Sequence, residues 1–260
     1  MRHGQGYHSI AENGHNLRDP HLTGHGEQQC RHRRQAFQRH EQVELLLASP
    51  LRRALQTCAI TFLPCLDRGM EIIALPMAEE CSDAPSDTGS DPKFLKDEFA
   101  DKHGRDCVSF DHVAEGWHLH EGEYATDPAS LIRRAAKLRR WIKARPEKEV
   151  VLVAHGFFNH YITGDVDEQG QQTTPWWNEA ELRTFRFVDG DGTQDRVRPY
   201  LGGEALVDGE DAALIKETEE SLQRLKGRRQ SVTRNVNRPA QRRESLLGFQ
   251  SDNVVAVDGA

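Results

Sequence analysis

The sequence predicts an α/β fold, a three-layer sandwich whose mainly parallel central sheet is flanked by helices. Three observations predict it. Short apolar runs at 43–49, 71–75 and 150–154 read as buried strands. Stretches with apolar residues at helical spacing stand between them, and strands alternating with helices make a parallel sheet covered on both faces. Cap and proline signals punctuate the chain where one kind of element gives way to the other.

In order, residues 10–22 are rich in Gly, Asn, Asp and His and read as a loop. Thr23 can cap a helix running to about His40. VELLLAS at 43–49 is the first buried strand and stops at Ser49-Pro50. Serine at the N-cap and proline at the first helical position predict a helix starting there, with Leu51, Leu55, Ala59 and Phe62 on one face and an end before Pro64. EIIAL at 71–75 is a second strand, and 80–107 reads as a long excursion full of Gly, Pro, Ser and Asp. Asp127-Pro128 opens the clearest helix, carrying Leu131, Ala135, Leu138 and Ile142 and ending at Pro146. VVLVAHG then reads as a buried strand ending in His155. RTFRFV at 183–188 alternates like a half-exposed edge strand.

The remaining chain changes character. The sequence divides into an α/β domain over 1–193, an acidic linker and helix over 194–226, and a basic tail over 227–260 with the composition of a disordered segment. Between Arg224 and Ser245 there are eight Arg or Lys and one acid.

At 260 residues, with a net charge of −7, the chain does not read as a general nucleic-acid binder. Its longest apolar runs are too short to span a bilayer, and no secretory signal is visible. Five scattered cysteines, Cys30, Cys58, Cys65, Cys81 and Cys107, form no CxxC pair and suit a reducing compartment. The expected location is cytoplasmic, with the nucleus left open. His112, His118 and His120 have no partners at structural-zinc spacing, so no metal site and no cofactor are expected.

Chemistry concentrates in three segments: Arg2-His3-Gly4, Ser49-Pro50-Leu51-Arg52-Arg53-Ala54 and Ala154-His155-Gly156. Each lies at a strand end or a helix start, where sites form in parallel sheets. Two histidines and at least two arginines would converge with no acid inside the segments, so a positive pocket is predicted. Guanidinium forks, helix N-termini and glycine-flanked amides all suit a phosphate. A neutral imidazole there can attack phosphorus, and one carboxyl can protonate the leaving alkoxide and then activate water.

Taken in order, these segments resemble the histidine phosphatase superfamily, in its phosphoglycerate-mutase-like branch. RHGQGYHS resembles the RHGxxxxN nucleophile loop, in the form seen in fungal and plant mutase-like proteins. DPHLTGHGEQQ at 19–29, SPLRRALQT at 49–57, ECSDAPSDTGSD at 80–91 and VAHG at 153–156 resemble the family's further motifs. The resemblance spans residues 2–190. It implies a metal-independent phosphatase that hydrolyses a small phosphorylated metabolite through a phosphohistidine at His3. It implies phosphoryl contacts from Arg2, Arg53 (rather than Arg52), His155, Gly156 and Ser9, the last standing where the family has asparagine. It implies Glu80 as the proton donor, with Glu79 its rival.

Only Met1 precedes Arg2, where the family has an apolar strand inside the sheet. The first strand is therefore expected to be missing, which points either to a segment upstream of this start or to a catalytically impaired protein with a binding role. A phosphoglycerate-mutase-type phosphotransferase is the other alternative. RRQSV at 228–232 and RRESL at 242–246 suit a basophilic kinase acting on Ser231 and Ser245, which mass spectrometry after incubation with such a kinase would test.

Overall fold

The structure is a computed structural model that describes residues 1–100, 107–167, 169–188 and 196–199. The predicted acidic helix, the basic tail, Ser231 and Ser245 lie outside the described residues.

The helices in chain order are α1 (Tyr7–Ile10), α2 (Gly24–Ala36), α3 (Arg52–Thr61), α4 (Leu63–Asp67), α5 (Pro92–Glu98), α6 (Pro128–Lys143) and α7 (Gly156–Thr163). The strands are β1 (Leu45–Ala48), β2 (Ile72–Ala74), β3 (Val108–Ser109), β4 (Val150–Val153), β5 (Phe185–Val188) and β6 (Arg196–Pro199). The main sheet has the order β3-β2-β1-β4, and every pairing in it is parallel.

The predicted layers follow from the alternation of side chains along β1. Leu46 and Ala48 join Leu51, Leu55, Cys58, Phe62 and Ile72 on the α3–α4 side. Leu45 and Leu47 join Leu131, Ala135, Leu138 and Phe158 on the α6–α7 side. All four β1 residues are buried because both faces are covered, which is why the strand reads as an unbroken apolar run. Burying a leucine such as Leu46 or Leu47 contributes about 1.5–3 kcal/mol.

Among the described residues no strand of the main sheet lies ahead of Arg2, in line with the expectation; residues 1–3 make instead an isolated bridge beside β4. The Met1 amine donates to Leu152 O at 2.7 Å, Ala154 N donates to Met1 O at 2.9 Å, and His3 N donates to Ala154 O at 3.0 Å. This is a parallel run beside β4, bridged at Arg2 and Ala154. On its other side Arg2 N donates to Glu181 O and Ala180 N to His3 O, both at 3.0 Å. Both edges of the run are hydrogen-bonded, so the backbone groups next to Arg2 and His3 are satisfied.

Three local readings also change. α3 starts at Arg52, and Ser49 does not cap it: Leu51 is extended, so the Ser49 hydroxyl reaches only Leu51 N, at 3.3 Å. The free amide of Arg52 is instead taken by the Asp19 carboxylate at 2.9 Å. The 80–107 excursion contains α5, and the chain then adds β3, a strand too short to show a period. The edge strand is present but pairs antiparallel with β6 in a separate two-stranded sheet and not with the main sheet. Thr23 and Asp127 cap α2 and α6 as predicted, accepting from Gly26 N and Ser130 N. All five cysteines are free. Among the described residues no helix is long and apolar enough to cross a membrane.

Candidate active site

Parallel pairing sends the ends of the Met1–His3 run, β1, β2 and β4 to the same sheet edge. The residues just past those ends are the predicted ones. His3 closes the first run, Arg53 lies in the first turn of α3, Glu80 follows β2 by a short 3-10 turn at Pro76–Ala78, and His155 occupies the N-cap position of α7 without capping it through its side chain.

His3 is buried, with Nδ1 2.6 Å from Gly4 O and Nε2 accepting from Arg53 Nε at 3.3 Å. Both contacts call for the tautomer with the proton on Nδ1, which leaves the lone pair on Nε2. Burial, then the nearby Arg53, His155, Arg2 and His8, push its pKa well below the ordinary imidazole range, so the ring is neutral. The His155 ring centroid is 5.2 Å away. His155 is fully buried and is held neutral by the same causes, burial first and Arg53 second.

The guanidiniums are fixed by carbonyls and one acid. Arg53 donates to Ser86 O at 2.5 Å and to Asp87 Oδ1 at 2.7 Å, and it is buried. Arg2 donates to Trp177 O at 2.6 Å and lies over the Trp176 ring at 5.8 Å. A side chain at Gly156 would place a Cβ 3.1 Å from Arg2 Nε and 3.0 Å from Trp176 Cζ2, so glycine is what lets this guanidinium lie against the start of α7. Arg52 turns away to Asp19 and Glu98. Trp176 and Trp177 thus frame Arg2.

The two candidate acids part company. Glu79 is buried against Arg134, at 2.7 Å from its Nη1, while the Arg134 guanidinium stacks on Phe158. Glu80 instead turns to the start of α7 and accepts from Phe158 N at 3.0 Å and Phe157 N at 3.4 Å. Burial and then Asp87 raise its pKa, against Arg53 and the two amides, so its proton is held more tightly than a free carboxyl would hold it. The pocket is less cationic than the three loops alone predict, because Asp87 pairs with Arg53 and Glu80 stands within reach of its charge.

Ser9 does not join the cluster through any described contact. It is exposed on α1, and its Oγ lies 3.4 Å from His8 Nε2. His8 comes in its place, with its ring 5.4 Å from that of His3. Burial first, then Arg53 and Arg2, push the His8 pKa down to about 3. Sequence reasoning does not single out His8, Asp87 or Thr57. Thr57 accepts from Gly4 N at 3.0 Å and donates to Arg53 O at 2.7 Å, tying the first loop to α3. Their signal was their place inside the quoted motifs RHGQGYHS, ECSDAPSDTGSD and SPLRRALQT.

Four buried nitrogens at this edge, Arg2 Nε, His8 Nδ1 and both ring nitrogens of His155, have no hydrogen-bond partner among the described residues. Other buried polar atoms of the described residues also lack partners, but these four lie together beside His3, where an anionic ligand could take up their donors. Among the described residues no group of three or more His, Cys, Asp or Glu is arranged to hold a metal ion.

A sequence model of the histidine phosphatase superfamily, branch 1, matches residues 1–198. A protein of Schizosaccharomyces pombe described as a probable phosphatase is 33% identical over 165 residues, which is 60% of this chain and 72% of the relative. Among solved structures, Bacillus stearothermophilus YhfR superposes with a TM-score of 0.52 at 19% identity, covering 79% of this chain and 95% of that one. Mycobacterial hydrolase 2 superposes with a TM-score of 0.50 at 17% identity, covering 82% and 93%. These two structures share the α/β fold of this chain.

Proposed function

The chain belongs to the histidine phosphatase superfamily, branch 1, and from that premise we propose that its pocket hydrolyses a small phosphomonoester by passing the phosphoryl group through the imidazole of His3. Membership gives the class of activity: the protein is a phosphatase of small phosphorylated substrates. The assignment of roles within the pocket is our reading.

In that reading the phosphoryl oxygens lie among Arg2, Arg53, His155 and the start of α7 at Gly156. The Nε2 lone pair of His3 attacks phosphorus, the P–N bond forms and the bond to the ester oxygen breaks. The departing oxygen takes the proton of the Glu80 carboxyl. Water then gives a proton to the Glu80 carboxylate and attacks phosphorus, breaking the P–N bond and returning neutral His3 with free inorganic phosphate. The arginines and His155 stabilise the charge on the equatorial oxygens as it redistributes.

The observation that carries this reading is the state of His3: neutral, buried, with Nδ1 engaged by Gly4 O and Nε2 turned to Arg53. Glu80 supports it, since a carboxyl with a raised pKa can hold the proton it must deliver. The test is turnover of an aryl phosphate in excess chelator by the wild type and by His3→Ala. The reading predicts turnover by the wild type and its loss in the variant. Equal rates for the two proteins would remove His3 from the mechanism.

A further inference from the structure

α1 is a four-residue helix that follows the Arg2-His3-Gly4 loop. Tyr7, Ser9 and Ile10 are exposed, whereas His8 is half-buried and turned inward. Two glycines seat it. A Cβ at Gly6 would come within 2.6 Å of His8 Nδ1 and 2.7 Å of its Cε1, so any side chain there would expel the ring. A Cβ at Gly14 would come within 2.4 Å of the His8 carbonyl oxygen, so the following turn can close on the His8 backbone only as glycine. The ring held this way lies 5.4 Å from His3, on a loop it shares with Arg2. Its Nδ1 is buried and has no hydrogen-bond partner among the described residues. Its Nε2 is 3.4 Å from the Ser9 hydroxyl. Donating to Nε2, that hydroxyl leaves the ring proton on Nδ1, the nitrogen on the buried side.

We infer that the Nδ1–H of His8, held in that tautomer by the Ser9 hydroxyl, is a further hydrogen-bond donor to the phosphoryl oxygens in the pocket of His3. The inference rests on the phosphatase reading above and adds a third imidazole to it. Burial and the charges of Arg53 and Arg2 keep His8 neutral, so it is a donor through one nitrogen and not a cation. Ser9 then acts through His8, as a positioning residue, and does not touch the phosphoryl group.

The chemistry of the amide side chains separates a donor from a merely packed ring. The Nδ2 of asparagine overlays the Nδ1 of histidine, whereas the amide of glutamine extends to the position of Nε2. We would measure kcat/KM for an aryl phosphate in the wild type and in His8→Ala, His8→Gln and His8→Asn. The inhibition constants of orthovanadate and inorganic phosphate would be measured alongside, and phosphate binding would be followed directly by phosphorus NMR. Loss of one preorganised donor to a transition state costs on the order of 10²-fold in rate. That loss is expected in His8→Ala and His8→Gln, together with weaker inhibition by both anions. His8→Asn is expected to stay within about tenfold of the wild type, the worth of one ordinary hydrogen bond. Unchanged anion inhibition in His8→Ala would overturn the inference, as would equal losses in the asparagine and glutamine variants. A wild type that neither turns over nor binds phosphate would overturn the phosphatase reading itself. A wild type that does both, with indifferent His8 variants, would overturn only the role of His8.

Discussion

Neighbouring glutamates at positions 79 and 80 have the same chemistry and opposite surroundings. Glu79 is sealed under Arg134 on the α6 side, while Glu80 faces the first amides of α7, beside His155. A proton donor matters most when the departing oxygen is a poor leaving group, so Glu80→Gln should discriminate between substrates. We expect kcat for an alkyl phosphate to fall by about 10²–10⁴-fold, the range of general acid catalysis, and kcat for a nitrophenyl phosphate to fall far less. Equal losses on both substrates would argue against proton donation. Much of this site was legible in the sequence, because Arg2, His3, Arg53 and His155 sit in motifs with fixed spacing. Arg53 and Arg52 separate, one buried toward His3 and one bound to Asp19 and Glu98. His8 and Asp87 were not legible. Their importance depends on which way a loop folds, and a histidine or an aspartate in a polar loop has no period to betray it.

At the scale of elements, the apolar runs fixed β1, β2 and β4 well, and capping residues located the starts of α2 and α6, whereas both helices end three or four residues earlier than the sequence predicts. The start of α3 moved because its cap comes from far away in sequence. Asp19, buried and in the left-handed region at φ 44°, accepts from Arg52 N and pairs with the Arg52 side chain. A local reading of Ser49-Pro50 had no means of finding that partner. The structure predicts that Asp19→Ala destabilises the protein by about 0.5–2 kcal/mol, the cost of losing an N-cap. For a domain of this size that is a fall in Tm of roughly 2–4 °C per kcal/mol. Asp19→Asn, which can still cap and tolerates the same backbone, should lose much less. Thermal unfolding of the two variants checks this, and equal falls would mean that the carboxylate acts chiefly through its ion pair with Arg52.

Across the whole molecule, function depends on parallel strands. The residues that meet at the pocket come from positions 2–8, 53, 80–87 and 155–156, and only the shared direction of the Met1–His3 run, β1, β2 and β4 brings them to one edge. The α/β class and this convergence were legible because strand, helix and motif recur in order along the chain. The sheet order and the hairpin of β5 with β6 were not, since strand neighbours are set by long-range packing that a local pattern does not encode. The proposed mechanism makes one chemical claim about the protein: phosphorus becomes bonded to Nε2 of His3 during turnover. Rapid quenching with a substrate carrying a labelled phosphoryl group, followed by peptide mapping of the trapped protein, tests it most directly. The account predicts label on the N-terminal peptide at His3, lost in His3→Ala. A wild type that turns over rapidly with no label at residue 3 at any quench time, or with label on another residue, would contradict it.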